Sequence, residues 1–166
     1  GENVAGLDPA ALRRAGALVP QAVTLFRGSV AQNLRLADPD ASDTAVREAP
    51  ARVAAPAGPD VMIDEAGRNL SGGERQRIAL ARALLLPFRV LVMDECLSEV
   101  DGPTARAILT AVRDRFPDRT IMVIAHAGPA RDLPFDQVVA LAPDDPLRSS
   151  RGGTPRQREN ARENAV

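Results

Sequence analysis

Two short stretches hold most of the groups that could do chemistry. In Val90-Leu91-Val92-Met93-Asp94-Glu95, two adjacent carboxylates end an apolar run. Carboxylates leaving such a run repel each other and lose hydration, so a purely structural pair is badly placed there. A cation relieves the repulsion: one carboxylate can hold Mg2+, usually through water, while its neighbour points the other way and orients an attacking water. Taken alone, the pair reads better as a solvated acidic turn. In Asn69-Leu70-Ser71-Gly72-Gly73-Glu74-Arg75-Gln76-Arg77, Ser71 and Glu74 have the spacing of a capping box, which satisfies two orphan amides at a helix start. Capping does not explain Gly72-Gly73, since each glycine costs about 1 kcal/mol in a helix relative to alanine. Glycines are worth that cost where a backbone must approach something closely, and bare amides at a helix start suit phosphate. His126, the single histidine, directly follows another apolar run. A lone histidine is commonly structural, but one at the end of a strand beside Asp94 would reach a phosphoryl oxygen and the water.

These groups need a scaffold, and the apolar pattern supplies one. The runs Val90–Met93 and Thr120–Ala125 predict strands, Ala17–Val19 a shorter one and Gln137–Leu141 a further one. The block at 90–93 predicts a strand buried on both faces. Asp8-Pro9 opens a helix over Ala10–Ala15, Ser29 caps a short helix through Leu36, and a weak helix falls near Ser42–Ala49. Gly72–Leu86 is strong helix material, and Pro103 opens a helix whose Ile108, Leu109, Val112 and Phe116 share one face. The alternation of strands and helices predicts an α/β fold with a mostly parallel sheet and functional groups at the carboxyl ends of its strands. Asp94, Glu95 and His126 fall there.

At 166 residues, 45% hydrophobic and 26% charged, the chain has the composition of one ordinary globular domain. Its richest apolar run, Ile78–Leu86, is interrupted by Arg82, so no segment reaches the roughly 18 apolar residues of a membrane helix. Every basic group is arginine. The net charge of −1 lacks the clustered basic excess of a nucleic-acid binder, so no nucleic-acid partner is expected. From Leu147 onward, Arg148, Arg151, Arg156, Arg158 and Arg162 face only Glu159 and Glu163. Without apolar anchors this segment reads as a disordered, solvated tail. The lone Cys96 excludes an intrachain disulfide, points to a reducing compartment and reads as a small buried hydrophobe. A first residue of Gly1 rather than methionine suggests a piece of a longer polypeptide.

The ordered set LVPQ (18–21), NLSGGERQR (69–77), VLVMDE (90–95), SEVD (98–101) and IAH (124–126) resembles the nucleotide-binding domain of ATP-binding cassette (ABC) transporters. The stretch Leu25–Val30 with Asn33-Leu34 is similar to exporter-type cassettes. The resemblance implies a P-loop NTPase-like cassette, represented by its C-terminal portion over about residues 1–142, with a small helical subdomain over about 28–86 and the tail at 143–166. It implies ATP and Mg2+ as ligands. Asp94 would be the Walker B aspartate and, with Gln21 of the Q-loop, would hold the metal. Glu95 would be the catalytic glutamate and His126 the switch histidine. Ser71, Gly72, Gly73 and Gln76 would belong to the signature motif and Asp101 to the D-loop, all facing nucleotide. The implied partners are a second cassette, identical or different, and a transmembrane permease fused upstream or separate, at the cytoplasmic face of the cell membrane.

The sequence departs from the family pattern in several places. No lysine exists in the chain and no GxxxxGK[ST] loop precedes Gln21. Glu99 stands where the D-loop usually has a small residue, and Ala127 where a basic one often follows the histidine. The resulting expectation is an ATPase in the complete protein and an inactive fragment here. Two alternatives stay open: a non-catalytic or truncated cassette that lends only its signature to a partner, and a soluble ABC ATPase outside transport.

Overall fold

The structure is a computed structural model that describes residues 3–55, 58–125 and 135–139. The chain divides into two units, Gly1–Pro134 and Phe135–Val166. Of the second unit only 135–139 are described, and they form neither helix nor strand. The strand expected over Gln137–Leu141 is therefore not formed at 137–139, and residues 140 and 141 lie outside the described residues. The apolar run at 138–142 is too short for periodicity to separate a strand from extended coil.

Local chemistry sets the element starts. Asp8 accepts from the amides of Ala10 (3.2 Å) and Ala11 (3.0 Å), and Pro9 opens α1 (Pro9–Ala15), which runs directly into β1 (Gly16–Val19). Gly28 and Ser29 form β2, which pairs antiparallel with β3 (Met62–Ile63). This two-residue ladder has no alternation long enough to be read from sequence. Ser29 and Gln32 make a capping box for α2 (Val30–Arg35). Gly28, at φ 140°, lets Gln32 Oε1 come within 2.5 Å of where a Cβ would stand. Ser42 caps α3 (Asp43–Arg52), which runs three residues past the expected end and includes Pro50. Ser71 and Glu74 cap α4 (Gly72–Ala83), which stops three residues short of the expected Leu86. After β4 (Val90–Asp94), Asp101 caps α5 (Gly102–Arg115), with Pro103 in its first turn, and β5 (Thr120–Ile124) follows.

The three longer strands form a parallel sheet in the order β1-β4-β5, with Leu18 opposite Val92 and Val92 opposite Met122. One face of this sheet carries buried Ala17, Val19, Leu91 and Met93, and α4 packs against β1. Helices α2, α3 and α4 pack on one another, burying Leu34, Val46 and Ile78. Helix α5 buries Ala105, Ile108, Leu109 and Val112 as one stripe, and Phe88 meets Phe116 with ring centroids 4.9 Å apart. The opposite sheet face is open: Leu18 is 61% and Met122 51% exposed. β4 is thus buried on one face, where an apolar run of its kind predicts two. The run encodes a two-sided environment, and no described element covers the second side. Among the described residues, no helix is long and apolar enough to cross a membrane.

Candidate functional site

Parallel pairing carries the site. Val19 lies opposite Met93 and Asp94 opposite Ile124, so the residues just past these pairs emerge at one edge, the carboxyl edge of the sheet. Gln21 and Glu95, each two residues beyond the Val19–Met93 pair, meet there. Gln21 Nε2 donates to Glu95 Oε2 at 2.6 Å, across 74 residues of sequence. The Glu95 amide donates to the Ile124 carbonyl at 3.0 Å, which ties the turn after β4 to the end of β5. Glu95 itself has φ 51°, a left-handed conformation that a glutamate adopts at a cost of order 1–3 kcal/mol. That backbone turn follows directly on Asp94, the last residue of β4. His126, two residues past the end of β5, lies outside the described residues.

The donors at this edge are hard oxygens. The bond to Glu95 uses the Gln21 amide nitrogen, which leaves the amide oxygen, with the Asp94 carboxylate, as the donor type that suits Mg2+. Among the described residues no group of three or more histidine, cysteine or acidic side chains is gathered around a metal position. Such a sparse set fits an ion that keeps several waters and takes others of its ligands from a phosphate.

The glycine pair lies at the start of α4. Ser71 Oγ accepts from the Glu74 amide (3.2 Å), and Glu74 Oε2 accepts from the Ser71 amide (2.7 Å). The Ser71 bonds hold the Glu74 carboxyl below its ordinary value. The turn 97–100 leans on this start: a Cβ on Gly72 would collide with Glu99 Oε2 and stand 3.1 Å from its carboxyl carbon. A Cβ on Gly73 would stand 3.3 Å from an Arg77 guanidinium nitrogen and 3.5 Å from the Glu99 carbonyl. Gln76, grouped by sequence with this motif, is 7% exposed, and its Oε1 has no hydrogen-bond partner among the described residues. Asp101 Oδ1 accepts from the Thr104 amide at 3.0 Å, and bonding to Thr104 holds its carboxyl below the usual range.

The model of the family described as "ABC transporter" matches residues 1–98. The chain belongs to the ABC transporter family. Among the proteins similar to it is the "Beta-(1-->2)glucan export ATP-binding/permease protein NdvA" of Rhodopseudomonas palustris (strain BisB5). The two are 39% identical over 92% of this chain and 28% of that protein. The "Glutathione/L-cysteine transport system ATP-binding/permease protein CydC" of Escherichia coli (strain K12) is 38% identical over 83% of this chain and 25% of that protein. A solved structure, "Structure of a bacterial Atm1-family ABC exporter with ATP bound", is similar at TM-score 0.70 and 34% identity, covering 76% of this chain and 23% of that one. The chain thus spans about a quarter of the length of the ABC relatives it matches.

Three residues brace this region through bonds for which sequence reading gave no role, although Asn33 and Asn69 fall within its motifs. Asn33 is 1% exposed and fully bonded: its Oδ1 accepts from the Phe26 amide (2.8 Å), and its Nδ2 donates to the carbonyls of Phe26 (2.8 Å) and Ser29 (3.1 Å). It fixes the chain that leaves Gln21. Arg82 reaches from α4 to the Thr24 carbonyl at 3.1 Å, across 58 residues. Asn69 accepts from the Asp64 amide and donates to the Met62 carbonyl, both at 2.9 Å, which closes the loop before the signature. A buried or loop asparagine between turn residues is the one signal that could have flagged the first and third.

Proposed function

We propose that this chain is the C-terminal portion of an exporter-type ABC cassette that hydrolyses ATP in the complete protein, paired head to tail with a second cassette, identical or different. The observation that carries the reading is the 2.6 Å bond between Gln21 and Glu95 at the carboxyl edge of the sheet. It joins a residue that follows β1 to the carboxylate that follows β4, the two groups that must act together on one water. Glu95 takes the proton of the attacking water, and its charge orients that water before the proton moves. His126 holds the water and the terminal phosphate. Gln21 engages one Glu95 oxygen at rest, so the water takes over a site that the glutamine amide occupies in this state.

Mg2+ would be held by Asp94 and Gln21, where it would offset charge developing on the transferred phosphate. Ser71, Gly72, Gly73 and Gln76 serve the nucleotide bound to the opposite cassette, and Asp101 faces the seam between the two. The relatives' names join ATP binding and permease in single proteins, which supports a permease partner at the cytoplasmic face of a membrane. A cleft of about 370 Å3 lined by Leu18, Phe26, Leu36, Arg82 and Leu86 offers that partner an apolar seat beside the Gln21 segment. The open sheet face fits a further layer from the rest of the protein. Residues 1–142, with a helical subdomain over about 28–86, are read as the cassette portion; the tail expected over 143–166 lies outside the described residues.

The test is Glu95→Gln in the polypeptide that joins this chain to its phosphate loop. ATP should still bind, while turnover falls by several decades, at about 1.4 kcal/mol of barrier per decade. Near-normal hydrolysis would mean that another group is the base. The 166-residue chain alone, having no lysine, should bind no MgATP at micromolar concentrations in equilibrium dialysis.

A further inference from the structure

We propose that Arg82 selects the occupant of the cleft lined by Leu18, Phe26 and Leu36: an apolar stretch of the permease that carries one carboxylate, which pairs with the Arg82 guanidinium. This rests on the reading above that a permease partner sits in that cleft. Arg82 is the one charged residue among those that line it, and the other eight are apolar. Leu18, Phe26 and Leu36 are each more than half exposed, so the walls are unfilled by the described residues.

A lone cation among apolar walls is an incomplete arrangement. Arg82 Nη1 donates to the Thr24 carbonyl at 3.1 Å, and among the described residues no carboxylate pairs with Arg82. Its partial burial lowers the proton affinity from the ordinary value, yet an arginine keeps its charge. A carboxylate recovers the lost hydration, because it can take the remaining N–H donors in the planar, two-point fashion that guanidinium favours. A wholly apolar segment would bury the charge unpaired, and a basic one would set like charges together. The cation thus discriminates among segments that the apolar walls alone would accept equally. The chain spans about a quarter of the relatives named above, whose names join ATP binding to permease, so a permease segment is the occupant that the rest of such a polypeptide supplies. Thr24 follows Gln21 by three residues. A carboxylate on Arg82 therefore engages the same side chain that ties α4 to the Gln21 segment.

The experiment uses the complete protein, permease included, and turns on the absence of lysine from residues 1–166. A carbodiimide joins an amine to a carboxylate in contact with it. In Arg82→Lys it should link the introduced lysine to one aspartate or glutamate of an otherwise apolar permease segment, mapped by mass spectrometry. The wild type, with no lysine in this stretch, should give no link through it, and changing the linked acidic residue to its amide should abolish the link. A benzophenone attached through Leu36→Cys leaves Arg82 untouched and captures any neighbour regardless of charge, while Cys96 is buried. It should capture the same permease segment. If the benzophenone captures a permease segment and the carbodiimide gives no link, the proposal is overturned while the permease seat stands. If the benzophenone captures only this chain or a second cassette, or the carbodiimide links only to acidic residues of those, the seat itself fails and the proposal with it. Lysine keeps a donor for the Thr24 carbonyl, so thermal melts of Arg82→Lys and the wild type should coincide.

Discussion

Glu95 shows what a single residue needs from its backbone. A carboxylate in the left-handed region is costly, yet in that turn it meets Gln21. Its neighbour Cys96 has the opposite fate: burial pushes the thiol up to about 12, so it stays protonated at neutral pH. Native protein at pH 8 should therefore resist iodoacetamide, and urea-unfolded protein should react at the rate of a free thiol. Fast modification of the native form would show that Cys96 is not buried. The carboxyls of Glu74 and Asp101 titrate lower in the folded state than in the unfolded one. Their contribution to stability is then full above the ordinary carboxylate range and lost as pH falls through the folded values. Urea midpoints should drop between about pH 5 and pH 3, and Glu74→Gln combined with Asp101→Asn should flatten that slope.

At the scale of elements, the ends matter more than the lengths. Ser71 caps α4 through the Glu74 amide, so Ser71→Ala should cost about 1 kcal/mol in urea unfolding. Asn33 on α2 is more sensitive, because it satisfies three backbone groups of the segment that leads from Gln21 into the helical layer. Asn33→Ala should cost roughly 2–4 kcal/mol by the same measurement, since the polar groups left behind near a 1%-exposed site lose their partners. A value within a few tenths of zero would mean that water replaces the amide freely. Glycines 72 and 73 illustrate a shared element end. The sequence offers close approach of a phosphate as their reason, and the structure adds the turn carrying Glu99, which already approaches them from within the chain.

For the molecule as a whole, the open sheet face dominates. Leu18 and Met122 lie in one row through Val92, and no described element covers them. Apolar surface of this kind binds hydrophobic dyes and drives association. The double variant Leu18→Thr with Met122→Thr should lower the fluorescence of bound 8-anilinonaphthalene-1-sulfonate while leaving the free energy of urea unfolding within about 1 kcal/mol of the wild type, because neither side chain is in the core. An unchanged dye signal would place the binding surface elsewhere.

The fold class was legible in the chain before any packing was known. Apolar runs ending in Asp94-Glu95 and alternating with capped helices specify a parallel α/β sheet, because strand and helix periods are local properties of the chain. The capping residues Asp8, Ser29 and Ser71 were legible for the same reason, whereas Ser42, read as the first residue of a helix, caps one. Tertiary structure alone decided which groups meet. The bond between Gln21 and Glu95 depends on β1 lying next to β4, and strand order is set by how helices pack across the sheet, which no local spacing encodes. The seat of Glu99 on Gly72 and the one-sided burial of β4 belong to the same class. Each depends on what stands opposite a residue in space, and that is fixed only when the elements have packed.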